Sequence, residues 1–520
     1  MKITLENFGP IHRVEFDLSK DLNVIFGKNN IGKSYAITAL YILLKHLLAG
    51  FRGGHIYGFG SQRLFKAAGI YGFPAAFTQS FQEVEATGTS SPLIAALTEA
   101  RGAFRKNQDL LEYDLSAHLT PLLQQSFASM LEELLTNSFN NSFQSVEGLT
   151  NFLSEGSLRI VVESSEISLF LSARDNAIVL DDVKLRHTIV ARRSKLNLRP
   201  AVSEGHTTVY FKMSALRKGD QARQIGEDAV AVVKALRKVE SGFADELRSV
   251  THAIYFLPAS RSGLYQALST FGALFAELSK SRTFVTKGIS LPNISEPVAD
   301  YFLQLSNMKP EAEDGEVSAI ARQIEQEVLG GEVGFNEQTK KLYFRQQGMD
   351  QEMDLSFASS MISEIAPIVA YFKYILREET AYETRTALGQ DGNPLTEKTS
   401  LLRLPPSLIF IEEPEAHLHP AVQVKLLEFF ARLTKHNVKV VMTSHSNYMF
   451  NKLSNLLLAG ELEPEKVGSY LMRATPEGSV MDATAMRAEE EGIVDENFVD
   501  VAEQLYNERL EAYDKQGDKA

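Results

Sequence analysis

Apolar and polar residues alternate through the first 26 positions. In KITLENF (2–8) Ile3 and Leu5 share one face, and in RVEFDL (13–18) Val14, Phe16 and Leu18 do the same, whereas LNVIF (22–26) is nearly all apolar. These patterns predict two half-buried strands and one strand buried on both faces. The period then lengthens, and apolar spacing from about Ser34 to Leu48 predicts a helix. Helical periodicity returns over 93–135 and about 221–250, while LRIVVE, ISLFLS and TTVYFKM between them read as strands. Further on, AIYFLPASRSGL (253–264) reads as a strand entering a proline–arginine loop, and EVSAIARQIEQEVLGG (316–331) as a helix stopped by glycine. EVGF and KLYFR predict a hairpin, and DLSFASSMISEIAPIVAYFKYIL a loop feeding a long helix. SLIFI (407–411) and VKVVMTS (438–444) are buried strands on either side of an amphipathic helix, AVQVKLLEFFARLTKHN. Strands alternating with helices at this spacing predict an α/β fold around a mixed, largely parallel sheet.

Residues 27–34 read GKNNIGKS, which satisfies G-x-x-x-x-G-K-[ST] at Gly27, Gly32, Lys33 and Ser34. The loop follows a predicted strand and opens a predicted helix, as a phosphate cradle requires. Glycines let successive backbone N–H groups face phosphate oxygens, and the helix N-terminus adds partial positive charge. Lys28, Asn29, Asn30 and Ile31 fill the loop. Lys33 would reach the β- and γ-phosphates, and Ser34 would ligate Mg²⁺. The SLIFI strand ends in Glu412 and Glu413, where ligands bind in open parallel sheets. Glu412 suits a metal and Glu413 suits orienting an attacking water, against the plainer alternative of a solvated acidic turn. His445 closes another buried strand and could sense the γ-phosphate, although a lone histidine is more often structural. In EAHLHP, His417 and His419 lie near Glu413 and Glu415, but a separate metal site there is disfavoured.

The 520 residues, 44% hydrophobic and 23% charged, suit a folded globular chain with a large core. Absence of cysteine excludes disulfides, zinc–thiolate sites and thiol nucleophiles. The N-terminus has no secretory apolar core, and the longest apolar stretch, Ile37 to Gly50, is broken by Lys45 and His46, so a cytoplasmic location without membrane contact is expected. The net charge of −13 disfavours indiscriminate nucleic-acid binding. From Lys184 to Arg223, however, ten Lys/Arg stand against Glu204 and Asp220. That stretch is either a solvated or partner-docking face, or a nucleic-acid contact.

With its motifs assembled, the chain resembles the ATP-binding-cassette ATPases of the SMC/RecF/OLD branch, which include bacterial AAA-type ATPases. LENFGPIHRVEFDL…LNVIFGKNNIGKS, IFIEEPEAHLHP and TSHS carry the resemblance over roughly 1–48 and 250–460. It implies a P-loop ATPase head interrupted by a helical and β insertion, with ATP and Mg²⁺ as cofactors. The expected division is 1–50 for the lobe with the glycine loop, 51–250 for the insertion, 251–460 for the second lobe, and 461–520 for an acidic helical segment. LSFASSMISEI stands where that family has its signature loop, making Ser356, Ser359 and Ser360 candidates to touch a nucleotide on a partner subunit, although the usual glycines are missing and Met361 replaces one. Arg261 in YFLPASRSG is expected near the nucleotide, or else in a salt bridge. No D-x-D follows His445, so a Toprim nuclease is not expected in this chain. The resemblance implies a homo-oligomeric ATPase controlling a separate effector such as a nuclease, similar to the ATPase subunits of anti-phage systems of the PARIS or Septu type. A RecF-like DNA-repair ATPase and an ATP-binding scaffold with little turnover are the alternatives.

Overall fold

The computed structural model describes residues 1–52, 92–196, 198–203, 205–213, 220–267, 294–309, 315–376, 380–388, 394–403, 405–482, 484, 486–489, 492–493 and 503–510. The chain opens with β1 (Lys2–Phe8), β2 (Ile11–Asp17), β3 (Leu22–Gly27) and α1 (Lys33–Arg52). Then come α2 (Pro92–Lys106), β4 (Glu112–Asp114), α3 (Ser116–Phe143), β5 (Arg159–Glu163), β6 (Ile167–Arg174), β7 (Ala177–Leu185), β8 (Thr188–Ser194), β9 (Ala201–Ser203), β10 (His206–Lys212) and α4 (Asp220–Val250). The remainder is β11 (Ala253–Leu257), α5 (Glu296–Ser306), α6 (Glu316–Ile324), β12 (Gly331–Asn336), β13 (Lys341–Gln346), β14 (Glu352–Asp354), α7 (Ser360–Ala370), β15 (Thr380–Leu388), β16 (Pro394–Arg403), β17 (Ser407–Glu412), α8 (Pro420–Lys435), β18 (Val438–Ser444), α9 (Asn447–Leu458), β19 (Val467–Thr475) and β20 (Gly478–Asp482). Two compact units result, one from Met1–Gly9 with Ile42–Ser249, the other from Pro10–Tyr41 with Val250–Ala520.

The second unit is the mixed, largely parallel sheet that the sequence predicts. Its strand order is β11-β17-β18-β3-β19-β20-β2. The first five are mutually parallel, β20 is antiparallel to β19, and β2 runs parallel to β20. Every residue of β3, β17 and β18 is buried, the pattern of central strands covered on both faces. Register aligns their C-terminal ends: Glu412 pairs with Thr443, and Ser444 with Phe26. Gly27, Glu412 and His445 therefore emerge along one edge of the sheet.

Beside this sheet, β12, β13 and β14 form a small antiparallel sheet. Val333, Phe335, Leu342 and Phe344 join one buried core with Ile320 and Ile324 of α6 and Ile365 and Ile368 of α7. Helix α6 runs into a π-helical turn, Glu325–Leu329, and stops at Gly330 with φ 64°. Helix α7 runs into another, Tyr371–Ile375. The two turns are joined by a buried ion pair, Lys373 Nζ to Glu325 Oε1 at 3.0 Å.

The expectation of a helical segment from 461 needs correction. Residues 467–482 form β19 and β20, and the first six residues of β19 are buried against β3. The acidic residues farther along the tail hid two apolar strands. The final thirty residues lie largely outside the described part, apart from a helical run at 503–510.

In the first unit β1, β5, β6 and β7 make an antiparallel meander, while β4, β8, β10 and β9 make a second sheet in which β8 and β10 run parallel. Helix α3 packs its apolar face here, with Phe139 and Phe143 edge-on to Phe8 and Phe127 edge-on to Phe243. Part of the basic stretch is already partnered. Arg186 pairs with Glu163, Arg192 Nε lies 3.4 Å from Glu112, and Lys184 Nζ sits 4.8 Å above the Phe170 ring. Arg217 and Lys218 lie outside the described residues. Helix α1 is long and apolar enough to span a bilayer, but most of it is buried within the protein.

Candidate functional site

Strand β3 delivers Gly27 and helix α1 begins at Lys33, so the glycine loop bridges a buried strand and a 20-residue helix. Gly27 has φ +148°, and a Cβ there would lie 2.5 Å from Ile31 Cδ1 and 2.7 Å from the Met472 carbonyl oxygen. Gly32 has φ +89°, and a Cβ would lie 2.8 Å from Pro10 Cγ. Both positions thus exclude a side chain on conformation and on space. Asn30 takes the left-handed region at φ 61°, which asparagine tolerates. Ile31 is buried and anchors the loop, while Lys28, Asn29, Asn30 and Ser34 face outward.

Lys33 is buried as well. Its Nζ donates to the carbonyls of Gly27 (3.1 Å) and Lys28 (2.7 Å) and lies 3.4 Å from His445 Nδ1. An ammonium has only donors, so Nδ1 accepts and the histidine proton sits on Nε2. That Nε2–H donates to Glu413 Oε1 at 2.9 Å. Burial pulls the Lys33 ammonium down to about 8, against the opposing charges of Glu413 and Glu415. The chain Lys33–His445–Glu413 joins the ends of β3, β18 and β17.

The paired carboxylates live in different environments. Glu412, the last residue of β17, is buried, and burial raises its pKa. A hydrogen bond with the Ser34 side chain and one from the Ala259 N–H (3.4 Å) work against that rise. Glu413 is partly exposed, and the His445 hydrogen bond is the largest cause holding its carboxyl below the ordinary range. Its backbone adopts φ 39°, and its N–H donates to the Thr443 carbonyl at 3.2 Å. Glu415 is buried, and its Oε1 accepts from Ser444 Oγ (2.8 Å) and from the His445 N–H. It thereby fixes the backbone from which His445 projects.

The other expected residues divide. Arg261 lies in the protein interior, against the backbone of the two acids. It is fully buried, and its guanidinium donates to the carbonyls of Pro258, Glu364, Glu412 and Glu413. Burial of an arginine is invisible in sequence, and the guanidinium also forms the salt bridge that the sequence left open, with Glu364 Oε2 3.4 Å away. Ser359 is the N-cap of α7, its hydroxyl accepting from the Ile362 N–H at 3.4 Å, and Ser360 is exposed at the first helical position. Ser356 sits in a short 3₁₀ turn whose N-cap is Asp354. None of the three bonds to the glycine loop. His419 caps α8 by accepting from the Ala421 N–H, which gives it a structural role. Sequence reasoning missed Glu364, Thr443 and the bracing role of Glu415. Glu364 left one signal: a single acid inside the apolar run Ile362–Ala370.

Ser34 Oγ and the Glu412 carboxylate suit a hard cation such as Mg²⁺, which takes one or two protein oxygens and completes its shell with phosphate and water. Such a site needs no larger cluster, and among the described residues no group of three or more His, Cys, Asp or Glu is gathered for a metal. The glycine cradle and this donor set fit a metal–nucleoside triphosphate.

Two family models match the chain. Residues 1–83 match "AAA ATPase domain", and residues 399–451 match "AAA domain, putative AbiEii toxin, Type IV TA system". A search of curated proteins finds no match. Among solved structures, the SMC head domain from Thermotoga maritima aligns over 93% of this chain and 97% of its own, with 10% identity and a TM-score of 0.31. The Smc head domain with an extended coiled coil from Pyrococcus furiosus, bound to the C-terminal domain of ScpA, aligns over 98% of each chain, with 9% identity and a TM-score of 0.31. The glycine loop falls in one matched segment and Glu412, Glu413 and His445 fall in the other, so over these two segments the chain is similar to AAA-type ATPase domains.

Proposed function

We propose that the chain binds ATP with Mg²⁺ and hydrolyses it to ADP and phosphate. The observation that carries this reading is the hydrogen-bonded chain Lys33–His445–Glu413, with Glu412 next to Glu413 at the end of β17 and Ser34 next to Lys33 at the start of α1. It gathers a phosphate-binding cation, an ionised base and a metal-suited carboxylate from three strand ends. The backbone N–H groups of the loop and the Lys33 ammonium bind the phosphates. Ser34 and Glu412 would hold the metal, whose charge would keep the buried Glu412 ionised and offset charge developing on the phosphate oxygens. Glu413 orients the attacking water and accepts its proton as the new bond to phosphorus forms and the bond to the ADP oxygen breaks. His445 holds Glu413 in its ionised form and connects it to Lys33.

The wider role follows the motif resemblance. The chain assembles with a second copy through bound nucleotide, with Ser359 and Ser360 exposed at the N-terminus of α7, and it controls a separate effector in anti-phage defence. The acid partners of Arg186 and Arg192 favour this reading over a duplex-gripping one. The test is Glu413→Gln. It should keep ATP affinity and lower turnover about a thousandfold, the range expected for removing a general base. Normal phosphate release by this variant would move the catalytic role elsewhere.

A further inference from the structure

The turn that carries both acids is bent in an unusual way. Glu413 has φ 39°, a region that non-glycine residues seldom occupy, and it precedes Pro414, which restricts it further. Such a conformation persists only where the surroundings over-determine it. Two anchors are visible. On the amide side, the Glu413 N–H is fixed by the Thr443 carbonyl and by Thr443 Oγ1 at 3.3 Å. The second anchor is one buried guanidinium. Arg261 donates through Nη1 to the Glu412 carbonyl (3.0 Å) and through Nη2 to the Glu413 carbonyl (3.4 Å). It thus holds the peptides on both sides of the strained residue.

Arg261 is itself held. Its Nη1 also donates to the Pro258 carbonyl at 3.0 Å, and its Nε donates to the Glu364 carbonyl at 3.1 Å. Glu364 is fully buried in α7. Its Oε2 lies 3.4 Å from Nη2, while its Oε1 accepts from the Ser262 N–H (3.3 Å) and hydroxyl (2.5 Å). A planar fork that donates to four carbonyls beside a buried carboxylate is an arrangement that a lysine could not copy.

We propose that Arg261 and Glu364 form a positioning pair: they fix the Glu412–Glu413 peptides in the geometry that presents one carboxylate to the metal and the other to water, and they tie that geometry to helix α7. The inference rests on the ATPase reading for its catalytic consequence, but not for its structural one. Because α7 starts at Ser359 and Ser360, anything that moves this helix also moves the anchor of the two acids.

The experiment compares Arg261→Met, Glu364→Gln and the double variant Arg261→Met/Glu364→Gln. Each single change leaves one buried charge without its partner and should lower the melting temperature. The double change removes both charges, and the amide oxygen introduced in helix α7 still accepts from Ser262, so the melting temperature should recover in part, short of the parent because the four carbonyls that Arg261 served lose their donor. Turnover should not recover. It should stay about a hundredfold below the parent, the scale of a small misplacement of reacting groups, with the loss in kcat and little change in KM. Hydrogen–deuterium exchange over 407–418 should rise in both variants that lack Arg261. If the double variant regains turnover together with stability, the pair is only a structural ion pair and the proposal is overturned. If the parent itself releases no phosphate, the ATPase reading fails, and the exchange measurement alone decides: faster exchange over 407–418 supports the anchor, and unchanged exchange refutes it.

Discussion

The glycine loop and the carboxylate turn both bend backbone into rarely used conformations, and they do so by opposite means. At Gly27 and Gly32 the conformation is permitted locally, because each residue lacks the Cβ that would strike Ile31, Met472 or Pro10. At Glu413 a side chain is needed, so the strain is carried by Thr443 at the amide and by Arg261 at both flanking carbonyls. A shape made by glycine is written where it is used. A shape imposed by tertiary contacts is written 152 residues away, at Arg261, and 49 residues away, at Glu364.

The largest test of this contrast is Gly27→Val. It adds both conformational strain and contact with the Met472 backbone, so the expected loss is about 3 kcal/mol in denaturant unfolding. Unchanged stability would show that the loop does not depend on glycine, and the contrast with Glu413 would dissolve.

A smaller effect concerns the charge that the loop buries. The Lys33 pKa falls from 10.5 to about 8, so between those values the unfolded chain binds more protons than the folded one. Below pH 8 the penalty of burying the ammonium is fully present, and it fades as pH rises toward 10.5. Lys33→Met should therefore be more stable than the parent at pH 7, by roughly 2 kcal/mol after allowing for the water that still screens the ammonium. The difference should shrink to nothing near pH 11. Equal stability at pH 7 would mean that the loop lysine is not held at a cost to folding.

The same contrast explains what could be read from the sequence. The loop, the acid pair and His445 stand out because each adjoins an apolar run long enough to mark a buried strand. The order of those strands was legible only as a largely parallel α/β pattern. Strands β7 and β8 escaped because Asp181, Asp182, Lys184, Arg192 and Arg193 mask the alternation of AIVLDDVKL and TIVARRS. Strands β19 and β20 escaped because an acidic tail follows them. Arg261 was visible as an arginine after a strand, but its full burial depends on Glu364 and on four carbonyls that only the fold brings together. Bracing contacts of this kind have no local pattern. They depend on register, as in the pairing of Glu412 with Thr443.

The central claim is that Lys33, folded over a glycine cradle and bonded to His445, is the phosphate-binding group of an ATP site. Its most direct test is equilibrium titration of the purified chain and of Lys33→Ala with ATP in the presence of Mg²⁺. Saturable binding by the parent is expected, with affinity weakened about a hundredfold or more in the variant, the scale of losing one partner of a desolvated charge pair. Equal affinity in the two proteins would contradict the claim.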